Sequence, residues 1–116
     1  MNQFPGGGDL HFVLDRDGAL VAYREKLAPW AGVVVFTSEE AAARFSRDSA
    51  CQGCEIVAVA AGDEGSLRAI INQVKSNGIR YLLLDLDYRR GDCTRFDFEG
   101  DWFGPSTPHQ FRPAAH

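Results

Sequence analysis

Apolar positions in this chain fall into short runs, each closed by a polar or turn-forming pair. Gly32-Val33-Val34-Val35-Phe36 has the continuous apolar character of a buried strand. It stops at Thr37, a residue type that caps helix N-termini, and Glu40 follows where a capping box places its carboxylate. The pattern predicts a strand turning directly into a helix that runs to about Asp48, with Ala41, Ala42 and Phe45 facing inward.

Upstream, residues 10–24 centre on Asp17-Gly18, a favoured pair for a two-residue type I′ turn. A turn there pairs Leu14 with Val21 and Phe12 with Tyr23, setting four apolar side chains on one face. A helix over residues 19–27 competes, through Leu20, Tyr23 and Leu27, but it would begin at a turn pair without a good cap. The hairpin is the preferred reading.

Residues 55–61 form the next apolar strand. Asp63 can cap the helix after it, in which Leu67, Ile70, Ile71 and Val74 recur at helical spacing until Asn77-Gly78 stops it. Residues 79–88 read as a strand, Arg90-Gly91-Asp92 as a turn and residues 93–99 as the returning strand. That loop pairs Tyr88 with Thr94, Leu86 with Phe96 and Leu84 with Phe98, and sets Asp87 opposite Arg95.

The resulting order, β-β-β-α-β-α-β-β, predicts a single α/β (α+β) domain: a mixed sheet with two helices packed on it. Residues 1–9 read as a flexible N-terminal segment, 10–103 as the domain and 104–116 as an irregular C-terminal tail.

Composition narrows this little. At 116 residues, 45% apolar and 24% charged, the chain is an ordinary globular one. A net charge of -4 argues against general affinity for nucleic acid or an anionic membrane. No apolar run approaches the roughly 20 residues of a membrane helix. The N-terminus lacks the basic and apolar regions of a secretory leader. Three cysteines do not make a disulfide framework, so the expectation is a cytoplasmic protein with reduced thiols.

Two constellations carry candidate chemistry. Asp15-Arg16-Asp17-Gly18, after the apolar Phe12-Val13-Leu14, resembles the first motif of haloacid-dehalogenase-type phosphatases. That resemblance implies Asp15 as nucleophile and Asp17 as acid and base. Thr37 and Lys75 then stand in the later motifs, and Asp85 and Asp87 form a late acidic pair around magnesium. The competing reading makes Asp17 a turn residue, and Asp85 and Asp87 one solvated strand face. Cys51-x-x-Cys54 has spacing suited to redox chemistry or half a zinc site, with Cys93 and His11 or His109 the remaining ligand supply. It follows a helix instead of preceding one, which favours ordinary loop thiols.

The string Val35-Phe36-Thr37-Ser38-Glu39-Glu40-Ala41-Ala42, after a hairpin and before an apolar strand, resembles the N-terminal domain of SseB-type bacterial proteins. That family has no established reaction, so the resemblance assigns no catalytic residue. The reading favoured is therefore a non-enzymatic domain, with no cofactor, that works by contact with another protein. Loop aromatics Trp30, Trp102 and Phe103 are the candidate contact surface. The phosphatase and the thiol site stand as alternatives, and an edge strand leaves a homodimer open.

Overall fold

The computed structural model describes residues 8–24, 31–51, 53–60 and 62–97, and the backbone of 106–110. Along them run β1 (Asp9–Leu14), β2 (Ala22–Arg24), β3 (Ala31–Phe36), α1 (Glu39–Asp48) and β4 (Glu55–Ala60). Then come α2 (Glu64–Ser76), β5 (Tyr81–Leu84), β6 (Asp92–Asp97) and β7 (Ser106–Gln110). They form a single α+β domain around one mixed sheet, ordered β4-β1-β3-β5-β6-β7, with β2 beside β3. Among the described residues only β3 and β5 pair in parallel, in the register Val33↔Leu82 and Val35↔Leu84.

The helices lie on opposite faces. Leu67, Ile71 and Val74 of α2 pack with Leu10, Phe12, Val33, Val35, Leu82 and Leu84. Ala42 and Phe45 of α1 pack with Val13, Val34, Phe36, Leu83 and Leu86. The β3-α1-β4 passage runs one way across the sheet and β4-α2-β5 runs back, so a common crossover hand requires opposite faces. β3 is covered on both sides, which is why its sequence is an unbroken apolar run. Phe45, 1% exposed, centres an aromatic group with Phe36 at 5.3 Å, Tyr23 at 5.4 Å and Tyr88 at 5.9 Å.

Helix α2 follows its sequence pattern closely. Asp63 caps it, accepting from the Ser66 amide at 3.2 Å and the Ser66 hydroxyl at 2.8 Å. Gly78, at φ 79°, turns the chain out of it after Asn77.

The first hairpin differs by one residue. Leu14 stands opposite Leu20, and Val21 N–H donates to the Val13 carbonyl at 2.8 Å. Phe12 has Val35 as its partner, and Tyr23 has Gly32. The loop takes three residues because Asp15 organises it. Its Oδ1 accepts from the amides of Asp17 at 2.9 Å and Ala19 at 3.0 Å, and Gly18 adopts φ 82°. A one-residue slip exchanges the faces. Leu20 joins Leu10 and Phe12 on the α2 side, while Val21 and Tyr23 join Val13 on the α1 side. The returning segment also lines up along β3: Val34 N–H donates to the Val21 carbonyl at 3.2 Å, and β2 pairs with residues 31–33. The competing helix over residues 19–27 is excluded by β2.

Three further expectations are corrected. The cap of α1 is Ser38, whose Oγ accepts from the Ala41 amide at 3.1 Å; Thr37 is held elsewhere, as described below. β5 ends at Leu84 because Asp85 adopts φ 54°, which no strand continues through. The β5–β6 register is therefore Leu82↔Phe96, Leu83↔Arg95 and Leu84↔Thr94, and Asp87 does not face Arg95. Phe98 lies outside the described residues. Within the stretch read as an irregular tail, β7 pairs antiparallel with β6, Phe96↔Ser106 to Asp92↔Gln110. Pro108 argues against a strand from sequence, but among the described residues β7 is at the sheet's edge, where a residue without an N–H is tolerated.

Candidate functional site

The carboxyl ends of parallel strands open toward the helices that follow them, so the β3–β5 pair defines one end of the sheet as a natural site. Thr37 and Asp85 leave these strands side by side. The Thr37 amide donates to Asp85 Oδ1 at 2.8 Å and the Thr37 hydroxyl to Oδ2 at 2.9 Å. The Asp85 amide donates to the Val35 carbonyl at 2.9 Å. This clasp holds the β3–α1 turn against the end of β5 and keeps Asp85 in its left-handed conformation.

After the clasp, Leu86 enters the core and the chain makes one tight turn. Asp87 Oδ1 accepts from the amides of Arg89 at 3.1 Å and Arg90 at 3.2 Å. Gly91, at φ 80°, closes the turn by donating to the Asp87 carbonyl at 2.6 Å. Between this turn and the flank of α1 lies a groove in two contiguous parts. The inner, of about 200 Å³, is bounded by Ala41, Phe45, Asp85, Leu86 and Tyr88. The outer, of about 320 Å³, is lined by Arg44, Arg47, Asp48, Asp87, Arg89 and Arg90. Arg89 meets Asp48 at 3.3 Å, Arg90 meets Asp92 at 2.6 Å and Arg44 approaches Glu40 at 3.6 Å. Burial, with the Tyr23 hydroxyl group nearby, pushes the Tyr88 phenol above its ordinary range.

The phosphatase set is split by this architecture. Thr37 and Asp85 meet at the carboxyl end of β3 and β5. Asp15 leaves β1 antiparallel to β3, toward the opposite end, where its carboxylate serves the hairpin loop. Continuing the register places it level with Gly32, roughly 13 Å along the strands from the level of Asp85. Asp17 lies in that same loop, and Lys75 in the last turn of α2, before β5 begins. Asp85 and Asp87 belong to a turn and not to one strand face.

The cysteines are likewise dispersed. Cys51 and Cys54 are joined as a disulfide with Cα atoms 5.9 Å apart, correcting the expectation of two loop thiols. Ala50 at φ 55° and Gly53 at φ 74° fold the chain back after α1 and bring them together. Cys93 is a free, partly buried cysteine in β6. Three strands separate β6 from β4, a lateral distance of roughly 19 Å, so Cys93 does not join the pair. Among the described residues no group of three or more His, Cys, Asp or Glu is placed to hold a metal ion. His11 sits in β1 opposite Phe36 and Ala58, and His109 in β7 opposite Cys93. Trp30, Trp102 and Phe103 lie outside the described residues.

The sheet's other edge is β4. Among the described residues it pairs on one side only, with β1, from Asp9↔Ala60 to Leu14↔Glu55. Ile56, Val57 and Val59 are half-buried, Ala58 and Ala60 exposed, and Glu55 is the single charge. Neither this edge nor the arginine groove stood out in sequence. Arg44 and Arg47 at helical spacing and the Arg89-Arg90 pair were the available signal for the groove, but only the sheet brings them to one place.

Comparison with protein-family models, with curated proteins and with solved structures finds no match to this chain. No helix among the described residues is long and apolar enough to cross a membrane.

Proposed function

We propose that this domain is a non-enzymatic contact module and that an extended segment of another protein adds to its sheet along β4. One observation carries the reading: a six-residue apolar strand with one charge has an unpaired outer edge among the described residues. Proteins usually guard such an edge with lysine, proline or a bulge, because its free N–H and C=O groups template pairing with another chain. The opposite edge strand, β7, contains Pro108; β4 contains neither proline nor lysine. In strand addition the main chain supplies affinity, and the half-buried side chains of alternate residues supply selectivity. Kinship with SseB-type domains and residence in the bacterial cytoplasm belong to the same proposal. In that compartment a Cys51–Cys54 bridge would be a reversible one.

The test uses hydrogen exchange on the intact chain with its captured protein partner. The expectation is slowed exchange of amides in residues 55–60 on complex formation, and loss of the complex in Ala58→Lys with the fold retained. A complex that leaves those amides unprotected, or survives Ala58→Lys, overturns the reading.

A further inference from the structure

We propose that the outer groove between α1 and the 87–91 turn is a binding site for a phosphate group, a surface separate from the β4 edge. The chain as a whole is acidic, at net charge -4, yet this groove has four arginines against two carboxylates. Both carboxylates already have partners within the protein. Asp87 accepts from the amides of Arg89 and Arg90, and Asp48, 11% exposed, is paired with Arg89. Arg47 makes no ion pair among the described residues, and the Arg44–Glu40 approach of 3.6 Å joins two well-exposed side chains, an interaction of little strength. Arg89 and Arg90 are paired with Asp48 and Asp92, so the positive charge the groove leaves without an ion pair among the described residues is that of Arg47, beside the weakly engaged Arg44.

The arginines come from two elements that face each other. Arg44 and Arg47 are three residues apart on α1, so they share a face. Arg89 and Arg90 are fixed at the backbone, because Asp87 and Gly91 define the turn that carries them. Guanidinium groups approaching from two sides match an anion with several acceptor oxygens, and the arginine fork is suited to the bidentate geometry of phosphate. A volume of about 320 Å³ lies at the small end of ligand pockets, and its lining is charged instead of apolar, so it fits a phosphate group better than a drug-like organic molecule. The phosphate could be free, as in an inorganic phosphate or diphosphate, or borne by a phosphorylated side chain of a protein.

Titration of the isotope-labelled full chain, followed by amide NMR at low ionic strength, separates the outcomes. The probes are inorganic diphosphate, a phosphoserine peptide and its unphosphorylated counterpart. The expected result is saturable shifts confined to residues 44–49 and 87–91. Affinity should fall at least roughly tenfold in Arg47→Gln, the loss of one hydrogen-bonded charge, and less in Arg47→Lys. Arg68→Gln, on α2 at the opposite face, should leave it unchanged. Diphosphate binding with no gain for the phosphopeptide identifies a free ligand; tighter binding of the phosphopeptide, with none of the unphosphorylated peptide, identifies a protein-borne one. Shifts spread over all arginines, equal binding by Arg47→Gln, equal saturable binding of both peptides without binding of diphosphate, or no saturable shift with any probe overturns the proposal.

Discussion

Asp85 offers a sharp test of the local reasoning, because two opposing effects meet at one residue. Its carboxylate accepts from the Thr37 amide at 2.8 Å and the Thr37 hydroxyl at 2.9 Å, while its backbone sits at φ 54°. Hydrogen bonds to a charged group contribute about 1.5–3 kcal/mol each when buried; this pair is exposed, so about 1 kcal/mol each is the working figure. The left-handed conformation costs a residue with a Cβ about 1 kcal/mol relative to glycine. Asp85→Ala loses both bonds and keeps the backbone penalty, giving a loss of about 2 kcal/mol. Asp85→Gly loses the same bonds but relaxes the backbone, for a loss of about 1 kcal/mol. Asp85→Asn keeps a carbonyl acceptor and tolerates positive φ, for a loss of about 0.5 kcal/mol. The expected stability order is therefore wild type, Asn, Gly, Ala. Urea denaturation at unchanged m value measures it, since a shift in midpoint alone reports stability. In a double-mutant cycle, Thr37→Val should show coupling with Asp85→Ala, because the two residues share the clasp. An Asp85→Gly variant as stable as wild type, or Ala and Gly variants of equal stability, would refute the argument.

Other substitutions probe separate parts of the fold. A Cβ at Gly32 would lie 2.7 Å from Leu83 Cγ, a fully buried side chain, so Gly32→Ala should destabilise by about 1–3 kcal/mol in the same assay. Phe45→Ala empties the centre of the aromatic group and should cost about 3–5 kcal/mol, visible as loss of cooperative thermal unfolding if the domain is only marginally stable. The Asp63 carboxyl is held below its ordinary value by the Ser66 hydroxyl and amide, so its stabilising effect is present above the unfolded value near 3.8 and fades as pH falls through the lower folded one. Asp63→Ala should accordingly be less stable than wild type at neutral pH, with the gap narrowing below about pH 4 in stability curves. Thiol labelling of the unfolded, unreduced chain should modify Cys93 alone, and all three cysteines after reduction, as read by mass.

The elements legible from sequence were those decided by near neighbours. Asp63, the Leu67 to Val74 spacing and Asn77-Gly78 define α2 without reference to the rest of the chain, because caps and a helical stripe are local devices. The apolar run of β3 likewise announced a strand buried on both faces. What failed was register and termination. Alternation permits two hairpin pairings one residue apart, and only the Asp15 loop bonds and the fit of Val13 and Phe12 to opposite cores chose between them. Thr37 and Ser38 are both competent caps; Ser38 became the cap because Asp85, 48 residues away, engages Thr37. Neither Asp85 at positive φ nor the gathering of Arg44, Arg47, Arg89 and Arg90 has a local signature, since each depends on β5 lying parallel beside β3. The open edge of β4 is of the same kind: an apolar strand reads alike at the centre of a sheet and at its border. Its sequence determined that it is a strand, and the strand order alone left one side without a partner among the described residues.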